Sequence, residues 1–168
     1  MAARKSANSD TFKVTTPTER SIVMTRRFDA PRHLVFEVMT KPEHVKRWWG
    51  ILDEEHSVPV CEIDLRVGGA WRFVNRFSRG EVTFYGVYRE IMPPSRLVFT
   101  EIFAQYPEAE SLVTTTLEDD RGQTLVTITC EYPTQEARDA VVSSGMERGA
   151  ALSYDQLEAV ARELHEAR

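Results

Sequence analysis

The chain of 168 residues is poor in the residues that usually announce chemistry. It has only two cysteines, Cys61 and Cys130, each inside an apolar strand-like run. Their spacing fits no zinc pattern, so they read as small buried hydrophobes of a reducing compartment. Its four histidines, His33, His44, His56 and His165, are scattered, and "DEEH" around His56 reads as a charged loop. There is no HExxH, no phosphate-cradling glycine loop and no nucleophile elbow. No metal, cofactor or firm catalytic residue is therefore expected.

Positive charge is not in excess either. With 21 Lys and Arg against 26 Asp and Glu, the net charge is −5, which removes a general electrostatic case for nucleic-acid binding. Arg26, Arg27, Arg72, Arg76 and Arg79 read as solvated strand faces and turns. No apolar run is long enough to span a bilayer, so no membrane partner is expected. The opening "MAARKSANSDTFKVTTPTER" lacks the apolar core of a secretory signal. A cytoplasmic protein is expected, with residues 1–19 as a flexible tail and 20–168 as a single domain.

What is present suits a soluble globular protein: 42% apolar and 28% charged residues. A chain of this length buries roughly 70% of its unfolded surface. "RSIVMTRRFDA" is a noisy period-2 strand, with Ile22, Met24 and Phe28 apolar and Arg26 interrupting. "DAPRHLVFEVMT" opens a helix, with Asp29 as a capping-type residue and Leu34, Val35, Val38 and Met39 on one face. Thr40 and Glu43 have capping-box spacing, so a second helix starts at once and runs to Trp48 or Trp49, where Gly50 stops it. Six further alternating runs follow, separated by "GG" at 68–69, "SRG", "PPS", "YPEAE" and "DDRG", the pattern of an antiparallel meander. A short helix capped by Thr134 ends near Gly145. "MERGAALSYDQLEAVARELHEAR" then places Ala150, Tyr154, Leu157, Ala161 and Leu164 on one face of a long helix. The predicted class is α+β: a curved antiparallel sheet of about seven strands around a long C-terminal helix, with two short helices after the first strand.

The segments "FDAPRHLVFEVMTKPEHVKRWWG", "GGAWRF", "FYGVYREIMPPSRLVFT" and "SGMERGAALSYDQLEAVA", in this order over about residues 20–166, resemble the AHSA1-like (activator of Hsp90 ATPase homologue) branch of the START-related SRPBCC superfamily. The resemblance implies the helix-grip fold and a cavity between sheet and long helix that often holds an apolar or aromatic small molecule. It does not imply one activity, because members include carriers, cyclase-like enzymes, antibiotic-sequestering proteins and co-chaperone domains. The chain carries only the one domain, without the extra N-terminal domain of the eukaryotic co-chaperone, so Hsp90 is not the expected partner.

Strand parity supplies the candidate site. Trp71, Phe73, Asn75 and Phe77 share a face, as do Phe84, Gly86, Tyr88 and Glu90, and Leu97, Phe99, Glu101 and Phe103. Ligand contact is expected from Trp48, Trp71, Phe73, Phe84, Tyr88, Phe99, Met146 and Tyr154, with Asn75 orienting the ligand. Glu101, if inward, is a buried carboxylate with a raised pKa. Gly86 either leaves room or marks a bend. Trp48 and Trp49 point about 100° apart on a helix, so one of them lines the cavity mouth or both close the core. The alternative is a cyclase- or hydrolase-like enzyme on an aromatic or polyketide-like substrate, with Glu101, Tyr88 and Asn75 as its polar groups. The architecture also allows a homodimer through an exposed strand edge.

Overall fold

The computed structural model describes residues 12–168. Eight strands are present: β1 Lys13–Thr15, β2 Ser21–Phe28, β3 Ser57–Ile63, β4 Ala70–Phe77, β5 Gly80–Met92, β6 Arg96–Phe103, β7 Ser111–Asp120 and β8 Gln123–Glu131. The helices are α1 Arg32–Thr40, α2 Pro42–Val45, α3 Gln135–Ser143 and α4 Met146–Ala167. All neighbours are antiparallel, in the order β1-β2-β8-β7-β6-β5-β4-β3. The meander β3 to β8 is thus closed by β2 against β8, and α1 and α2 carry the chain from β2 to the far edge. This is the helix-grip fold, with α4 packed on the concave face of an open, curved sheet.

The sheet has one strand more than the roughly seven expected. β1 lies in the stretch read as tail and pairs Lys13 to Thr15 with Thr25 to Val23. The rest of that tail, residues 1–11, lies outside the described residues. Two capping expectations also give way. α1 starts after Pro31 without a side-chain cap, and Asp29 instead accepts hydrogen bonds from Gln123 and Arg162. The Thr40 hydroxyl donates to the Phe36 carbonyl rather than capping α2. α2 ends at Val45, and residues 46–50 form turns that stop at Gly50, whose φ is +62°. Thr134 does cap α3, accepting from the Ala137 amide at 3.1 Å.

Period 2 along β2 puts Ile22, Met24, Arg26 and Phe28 on one buried face. Arg26 is therefore no solvated surface residue. It is 2% exposed, with its guanidinium 4.9 Å from the Phe28 ring centroid. What makes that burial tolerable is acidic charge on α4: Arg26 pairs with Asp155 at 2.9 Å and Glu158 at 3.4 Å. Glu158 also accepts from the Asp29 amide, so one buried carboxylate joins β2, the β2–α1 turn and α4. Further pairs run from α4 to the rest of the fold, Arg162 to Asp29, Arg47 to Glu163 and Arg168 to Glu37. All these groups lie from Asp155 onward. Leu157, Val160 and Ala161 bury the apolar stripe between them. The first two turns, Met146 to Leu152, contribute no side-chain hydrogen bond or ion pair among the described residues, and they contain Gly149, Ala150 and Ala151.

Candidate functional site

Chain geometry at the corner after α2 decides where the two adjacent tryptophans go. Because residues 46–50 are turns rather than helix, both rings enter the domain in different directions. Trp48 is 4% exposed, donates its indole N–H to the Val38 carbonyl at 2.9 Å and lies 6.1 Å from the Tyr154 ring. It is core beneath α4. Trp49 turns over the concave floor, with centroids 5.0 Å from Phe73, 5.9 Å from Phe84 and 6.1 Å from Trp71. The tryptophan that meets the aromatic strand faces is thus Trp49. The corner is tied down on both sides. Ser153 donates its hydroxyl to the Trp48 carbonyl at 2.6 Å and accepts from the Gly50 amide at 3.0 Å.

Asn75 holds the same corner from β4. It is buried, and its Nδ2 donates to the Trp49 carbonyl at 2.9 Å. A side chain at Gly50 would overlap this amide, so the glycine lets the corner close on β4. Asn75 Oδ1 is buried without a hydrogen-bond partner among the described residues.

The missing side chain at Gly86 is used by Trp71. A Cβ there would overlap the Thr100 carbonyl and come within 2.7 Å of Trp71 Nε1. Through that gap the indole N–H donates to the Thr100 carbonyl at 3.1 Å. Trp71 then lies 4.8 Å from Phe73 and 5.6 Å from Phe99, centroid to centroid. Tyr88 packs against Phe99 at 6.1 Å. Beyond Tyr88 the register of β5 shifts against β6, so Ile91 opposite Leu97 faces the core and Glu90 turns out to pair with Arg96. Glu90 therefore does not share the face of Phe84 and Tyr88, because a bulge intervenes.

Glu101 does lie on the concave face. Pairing of Tyr85 with Ile102 and Tyr88 with Phe99 puts it across from Gly86, and Ser111 flanks it on β7. The residue keeps partial exposure, yet desolvation pushes its carboxyl up to about 7. No described donor is hydrogen-bonded to that carboxylate. The groups around it are weakly acidic. Burial, then the neighbouring Cys130 and Glu101, pushes the Tyr132 and Tyr154 phenols up. The Cys130 thiol is pushed up to about 12 by burial and by Glu101. Cys61, also free, is pushed up to about 11 by burial, so neither thiol is a poised nucleophile.

The sign of the Glu101 effect on stability follows from linkage. The ordinary value is 4.5 and the folded value about 7, so the folded state binds more protons between them. Stability contributed by the protonated carboxyl is complete below about 4.5, falls as pH rises through that interval, and stays lower above about 7. Glu101→Gln removes the titration. The variant is expected to match the wild type near pH 4.5 and to exceed it by about 2 kcal/mol above pH 7, the value being reduced for the carboxyl's partial solvent contact. Urea denaturation across that range checks this. Equal curves for the two proteins would place the carboxyl in water.

Of the expected ligand contacts, Trp71, Phe73, Tyr88, Phe84 and Phe99 come together as one aromatic floor, with Glu101 at its rim. Met146 and Tyr154 lie above it on α4, packed against the core. Trp48 and Asn75 are engaged in holding the corner. The expected ligand contacts left out Trp49, Phe103, Tyr132 and Cys130, although Trp49 was weighed against Trp48 and Phe103 was placed on the face of Glu101. Phe103 and Cys130 were within reach of strand parity, and Phe103 lies 5.2 Å from Phe84. Trp49 was not, because a turn, unlike a helix, has no period. Two open depressions lie elsewhere. One of about 460 Å³ on the outer face of the sheet is lined by Arg72, Tyr85, Val87, Ile102 and Glu110. A polar one of about 640 Å³ lies beside Arg27, Asp29 and Asp120. The described residues contain no cluster of metal-ligating side chains, and no helix among them is long and apolar enough to cross a membrane.

A curved sheet gripping a long helix over an aromatic floor defines a helix-grip domain. The profile of the family described as activator of Hsp90 ATPase homolog 1-like proteins matches residues 29–162, and the chain belongs to that family. No curated protein matches it. Among solved structures, a Rhodobacter sphaeroides protein aligns with a TM-score of 0.83 at 24% identity, over 90% of this chain and 99% of its own. A Nitrosomonas europaea protein aligns with a TM-score of 0.79 at 24% identity, over 91% and 100%. An AHSA1-like protein from Aeromonas hydrophila aligns with 0.62 at 17% identity, over 85% and 94%. At these identities the likeness is one of fold alone.

Proposed function

We propose that the protein binds an apolar or aromatic small molecule between the concave face of the sheet and the first turns of α4. The observation that carries this reading is the Glu101 carboxyl. It lies between Phe99 and Phe103 along β6, within the electrostatic reach of Tyr132 and Tyr154 and with no described protein donor, an arrangement that disfavours its charged form. Around it, Phe84, Phe99 and Met146 supply apolar contact, and Gly149, Ala150 and Ala151 keep the covering helix thin. Binding gains come mainly from apolar burial, at roughly 25 cal/mol per Å² before the costs of association.

The test is thermal shift and calorimetry of the purified protein against a panel of flat aromatic and polyketide-like compounds. Saturable binding that is lost in Phe99→Ala, while that variant keeps a cooperative melt, is the expected result. No binding across the panel, with the wild type folded, would reject the reading. A carboxyl poised near neutral pH is also what a general base requires. An enzyme acting on such a compound is therefore the second reading, and product analysis of the same mixtures decides between them.

A further inference from the structure

We infer that the ligand of this cleft is a planar aromatic compound carrying a basic nitrogen, bound with its ammonium or amidinium group on the Glu101 carboxylate. The inference rests on the small-molecule reading above and adds the polar half of the recognition.

The argument is one of complementarity. The concave floor is aromatic: Trp49, Trp71, Phe73, Phe84 and Phe99 lie with centroids 4.8 to 6.1 Å apart along the chain of contacts. Ring faces carry negative potential and favour a flat or cationic guest over an anionic one. Among the described residues the carboxylate placed at that floor is Glu101, across from Gly86, whose missing side chain makes room for the Trp71 indole. The buried Arg26 guanidinium is committed to Asp155 and Glu158. The indole and amide donors at the concave face are already occupied, while Asn75 Oδ1 stays a neutral buried acceptor with no partner among the described residues. The Trp71 indole donates to Thr100, the Trp48 indole to Val38 and the Asn75 amide to Trp49. Tyr132, Tyr154 and Cys130 remain as neutral acids beside Glu101, and none of them supplies a positive charge. A guest acid would meet a like charge. A guest base would find a charged acceptor that the protein leaves without a described donor, where a charge-assisted hydrogen bond is stronger than a neutral one.

A matched trio tests this: naphthylmethylamine, naphthylmethanol and naphthylacetic acid, titrated calorimetrically into the full chain at about pH 8, where Glu101 is ionised. The amine is expected to bind at least about tenfold more tightly than the alcohol, and the acid more weakly than either. Glu101→Gln is expected to erase the preference for the amine and to leave the affinity for the alcohol within about twofold. Its far-ultraviolet circular dichroism shows whether it is folded, and Glu101→Asp, which keeps the charge, should keep the preference. Equal binding of the three compounds would leave small-molecule binding standing and overturn the basic-nitrogen inference. A preference that survives in Glu101→Gln would overturn it as well. Failure of all three to bind would overturn both readings.

Discussion

Arg26→Ala is expected to destabilise the fold by about 3–5 kcal/mol. The guanidinium is 2% exposed and links β2 to Asp155 and Glu158 on α4. Removing it leaves Glu158, also buried, with its Asp29 amide bond but without the Arg26 guanidinium. The cost is then the weaker charge compensation of a desolvated carboxylate. That origin has a signature. Arg26→Met combined with Glu158→Gln should be more stable than Arg26→Met alone, because the second change removes the buried charge that Arg26 helps to compensate. Urea denaturation of the single and double variants measures the difference. A single variant within about 1 kcal/mol of the wild type would show that the pair is solvated after all.

Gly86→Ala is expected to cost about 3–4 kcal/mol, a large effect for one methyl group. Its Cβ would overlap the backbone carbonyl of Thr100, which cannot rotate away as a side chain can. It would also press on Trp71 Nε1 and break the indole bond to that carbonyl. Truncating the ring should not rescue the variant. Gly86→Ala with Trp71→Leu is expected to be no more stable than Gly86→Ala, since the clash with β6 remains. Recovery in the double variant would mean that the glycine serves Trp71 alone. Loss of tryptophan emission contrast on unfolding gives a second readout, because Trp71 is the indole displaced.

Much of this was legible in the sequence, for physical reasons that can be named. Period 2 along "AWRFVNRF" fixed Trp71, Phe73 and Asn75 on one face, and turn residues at 68–69 and 121–122 marked two of the hairpins. The same rule put Glu101 on the face of Phe99 but left open whether that face turns inward, which the strand pairing answers. It misled at Arg26, where the residue type argued for solvent while the position argued for the core. Only Asp155 and Glu158, 129 and 132 residues further on, resolve that conflict (155 − 26 and 158 − 26). It failed at Glu90, because a register shift between Tyr88 and Glu90 carries no unmistakable sequence mark. The corner at 46–50 was legible as a stop but not as a direction, so Trp48 was favoured over Trp49. The role of Gly86 was open because it depends on an indole arriving from the neighbouring strand.

The attachment of α4 to the rest of the domain is uneven. From Ser153 onward the helix is riveted by a hydroxyl shared with Trp48 and Gly50 and by the Arg26 cluster. The seven residues before it, about 10 Å of helix, rest on the floor through Met146 and Ala150 alone among the core contacts. The helix is in effect a cantilever, clamped at one end and loose at the other. Lifting the loose end would break dispersion contacts and no ion pair among the described residues, leaving the clamp that ties α4 to β2 intact. Strength and looseness are thereby assigned to different turns of one helix.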